Sequence, residues 1–166
     1  KQLKLFADGL FMSRVRYCLP VFGAETLHLN KNEPTSSLIS EVQKAQNKML
    51  RIVVGRKRSD HIRMADMLND TGFMSINQSI AYSCLMEVWK AKSFSIPVLG
   101  ELFDRKRKDR KVLRSDTLEL VDSNCEEPFV KNLVKLWNMS TKTFKDTNLL
   151  VIAKKEAKIL AKSLPI

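Results

Sequence analysis

The sequence predicts an all-α protein, a bundle of about five to seven helices, on three observations. Five glycines and five prolines in 166 residues leave too few tight turns for a β-sandwich or barrel. Apolar residues recur at steps of three, four and seven in several separate stretches, as in helices that bury one stripe. An apolar content of 44% in 166 residues is enough for one compact domain or two small helical ones; the length excludes a disulfide miniprotein and the apolar content a wholly disordered chain.

Residues 1–19 carry Leu3, Phe6, Leu10 and Tyr17 on one broad stripe, with Phe11 and Val15 beside them. This helix is expected to stop at Leu19, because Pro20 disfavours the helical conformation of the residue before it. Residues 20–34, with Gly23, Asn30, Asn32 and Pro34, read as a loop. Thr35-Ser36-Ser37 then offers capping oxygens to a clearly amphipathic helix. Its apolar positions are Leu38, Val42, Ala45, Met49, Ile52 and Val53, and Gly55 is a C-terminal stop. Gln43, Lys44, Asn47, Lys48 and Arg51 fill the opposite face. A short helix follows from Asp60 to about Asn69, burying Ile62, Ala65, Met67 and Leu68 and stopping near Gly72.

Ser75-x-x-Gln78 has the form of a capping box ahead of Ile80, Cys84, Leu85, Val88 and Trp89, in a helix that ends near Phe94. Pro97 suits the first turn of a short helix through Leu99, Leu102 and Phe103. Periodicity then fades over residues 105–127, an exposed connector with a short extended piece at Thr117–Val121. It returns with Phe129, Leu133, Leu136 and Trp137. A last helix from about Thr147 buries Leu149, Ile152, Ala153, Ala157, Leu160 and Ala161 and turns Lys154, Lys155, Lys158 and Lys162 outward. The expected organisation is a helical domain over 1–104, a basic connector over 105–127 and a C-terminal helical segment over 128–166. The chain begins at Lys1 with residues that already read as mid-helix, so it is expected to be a piece of a longer polypeptide.

Catalytic chemistry finds little support. His28 and His61 have no cysteine or second histidine at ligand spacing, so no metal site is expected. Asp60, Asp66 and Asp70 fall on differing faces and read as a solvated rim. The isolated glycines form no phosphate-binding loop, and no serine elbow occurs, so neither catalytic residues nor a cofactor are expected. Cys18, Cys84 and Cys125, at spacings of 66 and 41, are neither a disulfide framework nor a metal clip; they read as buried thiols in a reducing compartment. Trp89 and Trp137 lie on apolar stripes and read as core anchors. No leader and no uninterrupted apolar run of about 18 residues is visible, so a membrane span is not expected.

Charge is the informative property. Twenty-nine basic residues against 18 acidic give +11, which calls for a polyanionic partner, nucleic acid first and an anionic membrane surface second. Arg51, Arg56, Lys57, Arg58 and Arg63 surround a helix–loop–helix junction opposed only by Asp60, and Lys44 and Lys48 precede them on the polar helix face. Such groups suit phosphate contacts that ignore base sequence. A second run, Arg105, Lys106, Arg107, Lys108, Arg110 and Lys111, places six positive charges in seven residues and suits either an import tract or a tether. Neither run carries the interleaved aromatics that stack single-stranded bases.

Several stretches in a fixed order carry a resemblance. They are Arg16-Tyr17-Cys18-Leu19-Pro20-Val21-Phe22-Gly23, Val42-Gln43-Lys44-Ala45-Gln46-Asn47-Lys48-Met49-Leu50-Arg51, Asp66-Met67-Leu68 leading into Gly72-Phe73-Met74-Ser75-Ile76, and Leu136-Trp137-Asn138 before a lysine-rich last helix. In this the chain resembles the C-terminal, thumb and post-thumb region of the reverse transcriptase of non-LTR (LINE-type, jockey-like) retrotransposons. The resemblance is densest over residues 1–100.

The resemblance implies a non-catalytic, helical, thumb-like part of an RNA-directed DNA polymerase. Its implied partners are RNA and DNA as template–primer and the palm domain of the same polyprotein, inside the cell, nuclear and cytoplasmic. The polymerase's paired-aspartate signature is absent, since Ala7-Asp8-Gly9 lacks the second aspartate, and so is a cysteine–histidine zinc knuckle. The competing expectation is a helical scaffold that docks on other polymerase domains without binding nucleic acid itself.

Overall fold

The computed structural model describes residues 2–30, 36–94, 96 and 128–166. Among these, seven helical stretches occur and no strand, so the chain is all-α. The expected Pro97–Phe103 helix, the connector with its basic run Arg105–Lys111, the extended piece Thr117–Val121 and Cys125 lie outside the described residues. Two compact units divide the chain: Lys1–Ile80 with Leu164–Ile166, and Ala81–Ser163.

The first unit opens with α1 (Gln2–Phe6), a π-helical segment (Ala7–Met12) and α2 (Ser13–Gly23), which run on without a break. The helix therefore passes Pro20 and does not stop at Leu19. An interior proline costs about 3 kcal/mol through its lost N–H and ring clash, and tertiary packing overrides that preference here. Leu19, Gly23 and Ala24 are buried, and Gly23 lies so close to Ile80 that a Cβ there would sit 2.7 Å from Ile80 Cγ1.

The expected stripe also faces the wrong way. Leu3, Phe6, Leu10 and Tyr17 are 55%, 65%, 64% and 87% exposed, while Ala7 and Met12 are buried. No residue of α1 is buried, and a π turn follows it. The Ser13 N–H bonds the Asp8 carbonyl five residues back, so Ala7 and Met12, also five apart, share the buried face. A strict α-helical period does not align them.

Next, α3 (Ser37–Val53) begins after Ser36, at the expected capping cluster, although the Ser36 side chain makes no capping bond. Its buried residues are Ile39, Gln46 and Leu50. Leu38, Ala45 and Ile52, expected inside, are exposed. Gly55 adopts the left-handed φ of +68° that ends the helix, as expected. A shorter helix, α4 (Met64–Thr71), starts four residues after Asp60 and buries Met67, Leu68 and Thr71 before a left-handed Gly72 at φ +71°. The core gathers Ala7, Met12, Leu50, Met67, Leu68 and Phe73.

Helix α5 (Ile76–Ser93) starts at the capping box read from the sequence. The Ser75 N–H donates to Gln78 Oε1 and the Gln78 N–H to Ser75 Oγ, each at 3.2 Å. Residues 73–80 are all buried, so this helix start has no water to satisfy it and depends on such partners.

In the second unit α5 contributes Cys84, Leu85, Val88 and Trp89, all buried as expected. They are joined there by α6 (Pro128–Met139), α7 (Lys142–Asp146) and α8 (Leu150–Ser163). Trp137 packs edge-on against Phe144 with ring centroids 5.9 Å apart, and Trp89 Nε1 donates to the Thr147 carbonyl at 2.8 Å. Both tryptophans are core anchors. Periodicity does not announce α7; Thr141 caps it by accepting the Phe144 N–H at 3.1 Å. Buried Ala153, Ala157 and Ala161 form one stripe of α8, whereas Leu149, expected inside, is exposed.

Two consequences can be measured. Gly23→Ala forces the fully buried Ile80 to move and should cost about 1–3 kcal/mol in urea unfolding; an unchanged midpoint would show that α2 and Ile80 have room. Burial pushes the Cys84 thiol up from its ordinary 9.0 to about 12, with Glu87 adding to the rise. The fold keeps this proton while the unfolded chain releases it. Stability is therefore intact below pH 9.0 and falls as pH rises toward 12, by about 1.4 kcal/mol per pH unit. Cys84→Ala should flatten that part of the pH–stability curve; a curve identical to the wild type would remove Cys84 as its source.

Candidate nucleic-acid interface

The basic junction of the sequence lies between α3 and α4, over residues 54–63. The chain passes from α3 to α4 there within ten residues, through a stitched loop. Beyond the left-handed Gly55, the Arg56 N–H donates to the Arg51 carbonyl at 2.8 Å. The Lys57 N–H donates to Asp60 Oδ2 at 3.0 Å, and the Asp60 N–H returns to the Lys57 carbonyl at 3.2 Å. Asp60 Oδ1 accepts from Ser59 Oγ at 3.4 Å. The only acid within the cationic run is thus turned onto the loop's own backbone.

Arg51 fixes the loop from below. Its Nη1 donates to the carbonyls of Lys57 and Asp60 at 2.9 and 3.1 Å. Of the residues singled out in the sequence, Arg51 therefore orders the loop, and its fork is partly used. Arg56, Lys57, Arg58 and Arg63 are exposed around it. Lys44 and Lys48 lie four residues apart on α3, both exposed. Lys44 Nζ sits 2.7 Å from Glu41 Oε1, and this bond, with help from Lys48, holds the Glu41 carboxyl below its ordinary value. Among the seven proposed contacts, Lys48, Arg56, Lys57, Arg58 and Arg63 remain open on this surface. The second basic patch, Arg105 to Lys111, lies outside the described residues.

Gln43, which periodicity placed on the outer face of α3, and its neighbour Gln46 both turn inward. Gln46 is fully buried and donates to the Met74 carbonyl at 2.8 Å, and it accepts from Gln43 Nε2 at 2.7 Å. Gln43 Oε1 in turn accepts the Ile76 N–H at 2.9 Å. Gln43 also lines a cleft of about 430 Å³ with His28, Ser40, Lys44, Asn47 and Asn77. Asn77 is used up there, accepting the His28 N–H at 3.0 Å and donating to the His28 and Pro165 carbonyls at 2.9 and 3.1 Å. Its role is to pin the backbone at His28 and Pro165 to the start of α5.

Among the described residues no cluster of three or more His, Cys, Asp or Glu could hold a metal. Asp66 and Asp70 are exposed and Asp60 is spent on the loop. Likewise, no described helix is long and apolar enough to cross a membrane.

If Arg51 staples the loop, Arg51→Ala should speed hydrogen exchange at the Lys57 and Asp60 amides by roughly tenfold while leaving α5 protection unchanged; unaltered exchange at those two amides would show that the loop holds itself. No family model matches this chain, and neither does any curated protein or solved structure.

Proposed function

We propose that this chain is the non-catalytic C-terminal part of a retrotransposon RNA-directed DNA polymerase, holding template–primer by contacts to backbone phosphates. One observation carries the reading: the ordered 54–63 loop presents Arg56, Lys57, Arg58 and Arg63 on a surface whose interleaved acid is already bonded to the loop itself. A loop held this way loses little further entropy when its cations meet phosphates. The contacts carry no base information, which suits an enzyme that copies any sequence. The motif order supports the family; the net charge of +11 supports the partner. On this reading the chain works inside the cell with RNA and DNA, alongside the palm domain of the same polyprotein, and does not polymerise alone.

A second reading, a docking module for other polymerase domains, is favoured by one feature. Leu3, Phe6, Leu10 and Tyr17 form an exposed apolar stripe on the first helix, and patches of this kind mark interaction sites. A docking module without nucleic-acid affinity should self-associate on sedimentation when isolated.

The deciding measurement is fluorescence anisotropy of a labelled RNA–DNA hybrid, titrated over salt. Wild-type affinity should fall with a log–log slope of about three or more. Replacing Arg56, Lys57 and Arg58 together with Ala should flatten that slope by about two to three units, equally for unrelated sequences. A wild-type chain that stays unbound at low salt hands the lead to the docking reading.

A further inference from the structure

The larger positive excess lies outside the junction just described. Among the described residues, the first unit carries ten basic and six acidic side chains; the second carries ten and three. Much of that excess sits on α8. At 100° per residue, Lys154, Lys155, Lys158 and Lys162 fall within an arc of about 100° that flanks the buried stripe of Ala153, Ala157 and Ala161. All four lysines are exposed.

This face is not arranged as an ordinary solvated one. Stable exposed helices pair Glu with Lys at i,i+4, whereas Lys154–Lys158 and Lys158–Lys162 are like-charge pairs at that spacing, which destabilise a helix. No acidic residue occupies the first turn to balance the helix dipole. The one carboxylate on the helix, Glu156, is turned to Thr141 Oγ1 at 2.8 Å. Among the described residues, no carboxylate lies within ion-pair distance of Lys154, Lys155 or Lys158. A local arrangement that works against its own helix marks a functional surface.

We infer that the outer face of α8 is a second nucleic-acid backbone site, in which Lys154, Lys155 and Lys158 contact phosphates of a double helix. Complementary charge identifies the occupant. From Lys154 to Lys162 the helix rises about 12 Å, a length over which the two strands of a duplex together carry about seven phosphates, more than enough for three lysines to reach. An anionic membrane is the weaker match, because the exposed apolar residues of α8, Leu150, Val151 and Ile159, spread over about half the helix circumference and no aromatic residue anchors it. The inference deepens the proposed template–primer reading by adding a contact surface on the other unit.

The test uses the full chain, a labelled RNA–DNA hybrid and a salt titration, with Lys154→Gln, Lys155→Gln and Lys158→Gln combined. The variant should lower the log–log slope by about two to three units, at roughly 0.9 per phosphate lost, and weaken binding at least tenfold at low salt. Its melting temperature should hold or rise, since like-charge repulsion is removed. An unchanged slope, with the Arg56, Lys57 and Arg58 variant still impaired, would overturn the α8 site and leave the proposed function standing. A wild-type chain that binds no hybrid would overturn both. Loss of binding to phosphatidylserine vesicles with hybrid binding intact would assign α8 to a membrane surface and overturn the inference.

Discussion

Gln46 is the polar group on which the packing of the first unit depends. Its side chain is fully buried among apolar neighbours, where an amide without partners would cost about 1–3 kcal/mol for each group left unpaired. It is satisfied from three directions: the Met74 carbonyl, the Met12 sulfur and Gln43. Through Gln43 the network reaches the Ile76 N–H, one of the orphan donors of a helix that begins in the core. The network thus fixes the depth of α3, the register of the π segment at Met12 and the start of α5 together. A leucine at position 46 would pack, but it would leave a carbonyl unbonded at the tightest point of the unit.

How much of this was legible in the sequence follows from the range of each interaction. The capping box Ser75-x-x-Gln78 and the stops at Gly55 and Gly72 are local, and the structure has them where the residues stand. The buried face of α5 was equally plain, because Ile80, Cys84, Leu85, Val88 and Trp89 are apolar and packed from several sides. The first helix was misread because its period changes within it. A five-residue π step brings Ala7 and Met12 to the buried face, and nothing in the pattern of Leu3, Phe6 and Leu10 announces it. The face of α3 was misread for another reason: its central buried residue is a glutamine, which polarity assigns to solvent.

The candidate site divides in the same way. Arg56, Lys57 and Arg58 are visible as a run, and their exposure needs no tertiary information. The loop that presents them does. Asp60 reads as the acid opposing the cations, yet its carboxylate caps the Lys57 N–H, and Arg51 bonds two carbonyls of the same loop. The charge that counts toward a partner is therefore not the formal sum over the run. Asp60 subtracts less than its sequence position suggests, and Arg51 contributes less, because each is held in a local bond. Lys44 is a parallel case, its charge shared with Glu41 on an exposed face where such a pair adds little stability.

The same logic separates the exposed apolar stripe from the cationic surfaces. Leu3, Phe6 and Leu10 lie on α1 and the π segment, and the phosphate-facing candidates of the first unit lie on α3 and the loop after it. A chain whose only task was to stay soluble would not keep four large apolar side chains in water on one stripe, nor like charges at i,i+4 on α8. Each arrangement works against the isolated fold, and on the proposed reading each would be relieved by a different kind of surface, one apolar and one polyanionic. On the proposed reading, non-specific grip and docking would be complementary demands on one helical chain, met by faces that its core does not use.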